Sequence, residues 1–358
     1  MPKPKRLALE MALHEEQERR ALEGELAQLE RAWREAEEIA AIADNLLFIR
    51  TTLRAHFTLY FTNRTPCGMI PWQSHRTATP FIDKTSHHVI AADTPLTGPP
   101  PPEVPLTDPP LVRVIAQVRF PLIASVEKRD FIAPFQEAIR EFYPVLRPEE
   151  EHSVVLGPRG VVDTTRSNTL WRFSEASGAW RVTLAPAFLA LETTEYTSRE
   201  DFMECLRLVL RALKEHVDPK VLDRIGVRYI DRVSGDNLSA LPQLVRPEVA
   251  GILRSPLAAS AQHAVSQSVF ILPGNTGQIT VRWGLLAPHS TIDPAALDPI
   301  DEPSWILDAD ASQSFQAGSW PLDVDSVVEQ ARGFAERIYS IFRWAVTDEF
   351  LRRYGGEP

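Results

Sequence analysis

The residues best placed to do chemistry in this chain are arginines. In the stretch RIGVRYIDR, Arg224, Arg228 and Arg232 recur at every fourth position. Side chains on a strand alternate between faces. These three therefore share one face with Gly226 and Ile230, while Ile225, Val227, Tyr229 and Val233 take the other. Arg113 and Arg119 fall in a similar alternation. Arg172, Arg181 and Arg282 stand between apolar neighbours: Trp171 and Phe173, Trp180 and Val182, Val281 and Trp283. If these stretches join one sheet, its polar face carries a band of guanidiniums. Arginine forks match phosphate or carboxylate, and a basic sheet with aromatics is one way to hold RNA. A mid-strand glycine such as Gly226 lets a ligand or another backbone come close. The plain alternative is a solvated face whose arginines pair with Glu192, Glu195 and Asp231.

A second chemistry would use carboxylates. Asp308 and Asp310 lie two apart, so on a strand they share a face and form a weak candidate site for one divalent cation. Asp323 and Asp325 stand where a helix begins, a position that favours capping. Cys205, among Phe202, Leu206 and Val209, reads as a buried thiol. Cys67, His75, His87 and His88 fit no common zinc spacing. The motifs G-x-S-x-G, G-x-x-x-x-G-K-[ST], G-x-G-x-x-G and H-E-x-x-H are absent from the sequence. The turn Gly157-Pro158-Arg159-Gly160 is followed by strand-like Val161-Val162, so it reads as a hairpin and not as a phosphate cradle. These residues identify no catalytic group, so enzymatic activity is not the first expectation, and no cofactor is expected.

The elements that must position these groups emerge from composition. The chain has 358 residues, a net charge of −10, 44% hydrophobic and 24% charged residues, which is ordinary for a globular protein. No apolar run reaches the ~18 residues a membrane span needs. Residues 7–13 lead straight into His14-Glu15-Glu16, unlike a signal peptide. A bacterial-type cytoplasmic protein without a membrane partner is the expectation. Two cysteines cannot build a disulfide scaffold. Of 30 prolines, eight lie between Pro95 and Pro110, so the chain holds two kinds of sequence.

Residues 1–47 read as one helix. Leu22, Leu26, Leu29, Trp33, Ala36, Ala40, Ala43 and Leu47 follow alternating steps of four and three, a heptad seam suited to coiled-coil pairing and homo-oligomerisation. Residues 48–94 lack a sustained period, and 95–110 read as an extended proline-rich linker. Residues 111–358 form the folded body. Strands are expected at 112–120, 153–156, 161–165, 169–174, 180–184, 188–193, 224–233, 264–272, 278–286 and 304–311. Helices are expected at 131–143, from the N-cap Ser198 onward, at 241–253 with an interruption at Pro247, and at 325–354. This is an α+β class: mostly antiparallel sheet packed by helices, as two ferredoxin-like halves, with a long C-terminal helix.

Five pieces occur in order: Pro110-Leu111 leading into 112–120, Trp171-Arg172-Phe173, LALETTEY (189–196), RIGVRYIDR (224–232) and FRWAVTDEF (342–350). Over about residues 110–355 the chain thereby resembles a sporadically distributed bacterial family with no assigned function. Its members have roughly 250 residues, the size of one large domain. RIGVRYIDR and AVTD are the most specific pieces. Residues 1–47 resemble a separate small bacterial sequence type rich in Glu, Arg and Ala. The family resemblance implies patchy occurrence of the kind mobile islands produce, such as a defence or toxin-type locus, and carries over no site residue. The first functional expectation is a non-catalytic binding or regulatory module acting through protein partners. The second is an RNA- or nucleotide-binding protein using the arginine face. The third is a divalent-metal-dependent enzyme using Asp308 and Asp310.

Overall fold

Strands that alternate apolar and polar side chains bury one face and must pair edge to edge. Among the described residues nine of them form a single sheet. The structure, a computed structural model, describes residues 94–157, 160–315 and 320–358, without the side chains of 151–168. The heptad helix of 1–47 with its expected oligomerisation, and residues 48–93 with Cys67, His75, His87 and His88, lie outside the described residues.

The elements run β1 (Leu111–Arg119), α1 (Arg129–Ile139), β2 (Val145–Gly157), β3 (Gly160–Ser174), β4 (Trp180–Ala185), β5 (Phe188–Thr193) and α2 (Arg199–His216). Then come β6 (Val221–Leu222), β7 (Arg224–Ser234), α3 (Asp236–Leu244), α4 (Pro247–Ala250), β8 (Ala264–Ile271) and β9 (Gln278–Leu286). β10 (Ser304–Ser314), β11 (Trp320–Pro321), α5 (Val324–Ala345) and α6 (Asp348–Arg353) complete the chain. The sheet order is β2-β3-β4-β5-β1-β7-β10-β9-β8. Every pairing in it is antiparallel. β6 and β11 form a separate pair. The fold is α+β with a large antiparallel sheet and a long helix near the C-terminus.

The halves have a topological basis. β1, α1, β4, β5, α2 and β7 follow the β-α-β-β-α-β course, with neighbours β7-β1-β5-β4, the ferredoxin-like arrangement. The β2–β3 hairpin extends its outer edge. The second half repeats the course through β7, α3, α4, β9, β10 and α5. Among the described residues it has no fourth strand of its own, and β1 of the first half stands beside β7 in that place.

Helices α1, α2 and α5 supply the apolar stripes that cover one sheet face. Val114, Val118, Val227, Leu307 and Ala311 meet Phe135, Phe202, Leu206, Phe334 and Ile338 there. The four tryptophans of the large sheet pack on this side. Trp171 and Trp305 are buried, and Trp180 and Trp283 are partly so. Ser198 caps α2 by accepting from Asp201 N–H, and Asp323 caps α5 by accepting from Ser326 N–H.

Four boundaries differ from expectation, each for a local reason. The helix expected over 325–354 is two helices. Val346 turns extended to bridge Val245, and Thr347 caps α6 by accepting from Phe350 N–H. Pro247 does not interrupt a helix but starts α4, the position where its missing N–H costs nothing. The three short strands expected within 153–174 are parts of one long hairpin, β2 with β3. Its connecting Pro158-Arg159 lie outside the described residues.

The fourth difference concerns the prolines. Residues 99–105 form neither helix nor strand, as expected, yet 95–110 pack against the folded body. They belong to the same compact unit as the sheet and helices. Tyr339 Oη on α5 accepts from Val104 N–H (2.8 Å) and donates to Pro102 O (3.1 Å). Arg337 donates to Gly98 O (2.6 Å), and Tyr354 O accepts from Thr107 and Asp108 N–H. The segment is a strap across the helical side of the fold. A proline-rich chain has few donors of its own, so α5 and the C-terminus supply partners for its carbonyls and remaining amides.

Candidate functional site

All eight candidate arginines belong to the one sheet. Pairing register puts Arg119 opposite Arg224, Gln117 opposite Gly226 and Ile115 opposite Arg228. It puts Arg181 opposite Glu192, Arg282 opposite Asp308 and Arg172 opposite Thr183. Since facing residues share a face, Arg113, Arg119, Arg172, Arg181, Arg224, Arg228, Arg232 and Arg282 lie together on the side away from α1, α2 and α5. The expected band exists.

Carboxylates interleave it. Arg228 grips Asp308 with two parallel bonds, Nε to Oδ1 (2.7 Å) and Nη2 to Oδ2 (3.0 Å), and reaches Asp293 with Nη1 (2.6 Å). Arg282 Nη1 adds a bond to Asp308 Oδ2 (2.9 Å). Glu192 accepts from Arg181 Nε and from Arg113 Nη1 (3.2 Å). Asp298 lies 3.3 Å from Arg113, Asp310 3.3 Å from Arg224, and Glu149 3.0 Å from Arg172. Arg232 donates to Asp298 O, and Arg119 is exposed. Burial disfavours the charge on Arg228, but its bonds to Asp308 and Asp293 outweigh that and raise its pKa. Burial pushes Asp310 up, against the pull of Arg224. Asp308 and Asp310 share a face as expected, but each is already bonded to guanidiniums, Asp308 to Arg228 and Arg282 and Asp310 to Arg224.

Two expected pairings are corrected. Asp231 is opposite Leu307 and points with Tyr229 to the helical side, so it joins no arginine. Glu195 follows β5 in an exposed turn and makes no ion pair with the band among the described residues. Gly226 leaves space as expected, but the occupant is internal: a Cβ there would lie 2.9 Å from Arg224 Nη1. The segment 287–303 folds over this face. Ala296 and Leu297 close on Ile230, Leu286 and Ile306, which brings Asp293 to Arg228 and Asp298 to Arg113. A recess of about 310 Å³ remains, lined by Arg172, Arg181, Arg224 and Arg228 against Glu192, Asp293 and Asp310. Charges there nearly cancel.

A larger cleft, about 660 Å³, opens where α3, α4 and the α5–α6 junction meet. Arg246, Arg254 and Arg343 line it, with Asp348 as the one carboxylate among the lining residues. None of these arginines forms an ion pair among the described residues. Nε and Nη1 of Arg343 are buried and without a hydrogen-bond partner. Arg246 stands over the Trp344 ring, 5.8 Å from its centre, a cation–π contact at the rim. The backbone that frames the cleft is tied down: Arg246 N–H donates to Ala345 O (2.9 Å) and Thr347 N–H to Leu244 O (2.9 Å). This is a surplus of arginine donors over a polar and apolar wall.

Sequence reasoning missed these arginines because they lie in a loop and at helix ends, separated by up to 97 residues from Arg246 to Arg343, with no shared period. The signal that pointed there was AVTD. Its Val346, Thr347 and Asp348 line the cleft. No protein-family model matches the chain, and no curated protein matches it.

Proposed function

We propose that the protein is a non-catalytic binding module whose α3–α6 cleft takes a small ligand bearing a phosphate or carboxylate. The observation that carries this reading is Arg343, whose buried Nε and Nη1 lack partners in a cleft shared with Arg246 and Arg254. A buried donor left unmade costs about 1–3 kcal/mol, more if charged, and an oxyanion would recover it. The sheet face supports a different role. Nε of Arg172 and Nε of Arg232 are buried there without a partner, but most of its guanidiniums pair with Asp308, Asp293, Glu192 and Asp310, which matches a structural lattice and is a poor surface for polyanionic RNA. The test is calorimetry of pyrophosphate and citrate with the full chain. Arg246→Ala with Arg254→Ala is expected to weaken binding at least about tenfold, with affinity falling as salt rises. Binding that survives this double change but is lost in Arg181→Ala would move the site to the sheet recess.

Action through protein association is favoured by a separate observation. Among the described residues β8 is the last strand of the sheet and pairs only with β9, and it contains no charged residue and no proline. Val269 and Ile271 are 51% and 64% exposed. Such an edge is a template for another strand. The partner we infer is a second copy, because Val265-Ser266-Gln267-Ser268-Val269 is palindromic. Antiparallel pairing about a two-fold through Gln267 sets valine against valine and serine against serine. Light scattering on the full chain is expected to give a dimer mass that Val269→Lys returns to monomer. A monomer in the parent chain, or a dimer indifferent to Val269→Lys, contradicts this edge.

A further inference from the structure

Beneath the proline strap lies a cavity of about 300 Å³. Its walls are Tyr196, Tyr229, Tyr339 and Phe342, closed above by Val104 and Leu106 of the strap. Tyr229 Oη donates to Tyr196 Oη (3.2 Å), and the two rings meet edge to face with centres 5.5 Å apart. Tyr339 Oη is committed to the strap backbone. The cavity is therefore largely aromatic and apolar, with one acid among its lining residues whose charge is not neutralised: Asp231 on β7. Glu103, the other lining acid, is paired with Arg199.

Asp231 is 8% exposed, and among the described residues its carboxyl has no hydrogen bond and no ion pair. Burying an unpaired carboxylate is costly, so such a group normally has a partner. Burial, with the like charge of Asp308 across the strand pair, raises its pKa to about 7. The other titratable groups facing this region are Tyr229 on its own strand, Tyr196 and Arg199 at the start of α2, Tyr339 on α5, Tyr354 after α6 and Glu103 on the strap. Burial holds the tyrosines above their ordinary value, so they stay neutral through this range.

We infer that this cavity is a binding site for a small hydrophobic ammonium. Aromatic rings attract a cation; Arg199 already stands over the Tyr339 ring, 5.9 Å from its centre, so Tyr196, Tyr229 and Phe342 are the rings left for the ligand, and Asp231 offers the counter-charge. The apolar body of the ligand would lie against Phe342, Ile338 and Leu106, which line the same space. This site is on the helical side of β7 and is independent of the anion cleft. An ammonium removes the unpaired charge that the empty fold carries, whereas an alcohol of the same shape does not.

The experiment uses the full chain with two probes of one shape, cyclohexylammonium and cyclohexanol, measured by calorimetry and by thermal unfolding. The ammonium is expected to bind at least about tenfold more tightly than the alcohol. Its affinity should rise roughly tenfold between about pH 6 and about pH 8, as Asp231 ionises. Asp231→Asn should abolish the preference for the ammonium while leaving cyclohexanol binding in place. The pH titration of the parent chain needs no variant, so a misfolded variant leaves the test intact. Equal binding of the two probes, no pH dependence, or no response to cyclohexylammonium at millimolar concentration would overturn the inference.

Discussion

Glu192 and Asp308 hold equivalent places in the two halves of the fold. Each stands directly opposite an arginine on the adjoining hairpin strand, Arg181 for Glu192 and Arg282 for Asp308. Each also reaches diagonally to an arginine on the first strand of its half, Arg113 and Arg228. The same arginine–carboxylate–arginine unit thus occurs twice, either side of the β1–β7 pair. A carboxylate shared by two guanidiniums keeps neighbouring strands in register through charge-assisted bonds. This explains why a band of arginines lies on the sheet of an acidic protein without making it a basic surface.

The second unit is the more deeply placed, with Asp308 only 1% exposed. Removing Arg228 strips it of the bidentate grip and leaves Arg282 as its remaining ion-pair partner. Arg228→Ala is expected to destabilise the fold by about 3–5 kcal/mol, as for other broken buried pairs. Arg282→Ala should cost less, about 1–2 kcal/mol, because Arg228 retains its hold. Urea unfolding of both variants checks the order. Equal losses would contradict the dominance of Arg228.

Two strand glycines predict opposite outcomes. Gly284 has φ +146°, and a Cβ there would lie 1.9 Å from Ala264 O. Its absence of a side chain lets β8 close on β9. Gly284→Ala is therefore expected to cost more than about 2 kcal/mol and to raise hydrogen exchange along β8. At Gly226 the added Cβ would meet only the mobile end of Arg224. Gly226→Ala should cost less than about 1 kcal/mol, with Arg224 leaving Asp310.

Asp231 predicts a pH dependence. Its folded pKa of about 7 lies above the ~3.9 of an unfolded aspartate, so between those values the native state holds a proton the unfolded chain has released. Stability contributed by this group is complete below about pH 4 and is lost as pH rises to about 7, by up to about 4 kcal/mol. Asp231→Asn removes that slope. The stability difference between variant and parent should shift in the variant's favour from about pH 4 to about pH 7 and then level off. A difference independent of pH in denaturant titrations would contradict the unpaired state of this carboxyl.

The strap gives a fourth expectation. Tyr339→Phe deletes the hydroxyl that joins Val104 N–H and Pro102 O to α5. A loss of about 1–3 kcal/mol is expected, with faster proteolysis within residues 95–110. Unchanged proteolysis would show that other contacts alone hold the strap.

Much of the fold was legible in the chain because periodicity reports burial directly. The alternation in 112–120 and 224–233, the caps Ser198 and Asp323, and the placement of four tryptophans on the core side follow from local pattern. What pattern could not show was pairing across the sheet. That Arg228 meets Asp308, or Arg113 meets Glu192, depends on strand order and register, which no local period encodes. Asp231 was placed with the arginines for the same reason, although its alternation with Tyr229 and Val233 already set it on the other face. The strap read as a linker because proline excludes helix and sheet. Exclusion from regular structure is not exclusion from packing. The cleft arginines escaped because Arg246, Arg254 and Arg343 converge only through the turn after α3 and the break after α5.

The central claim is that the α3–α6 cleft, and not the sheet face, holds an anion. The most direct measurement is a crystal of the full chain soaked with tungstate, an anion that anomalous scattering locates without ambiguity. The account predicts a peak among Arg246, Arg254 and Arg343, within hydrogen-bond distance of Arg343 Nε or Nη1. A peak beside Arg181 and Arg224 on the sheet face, or none in the cleft, would contradict it.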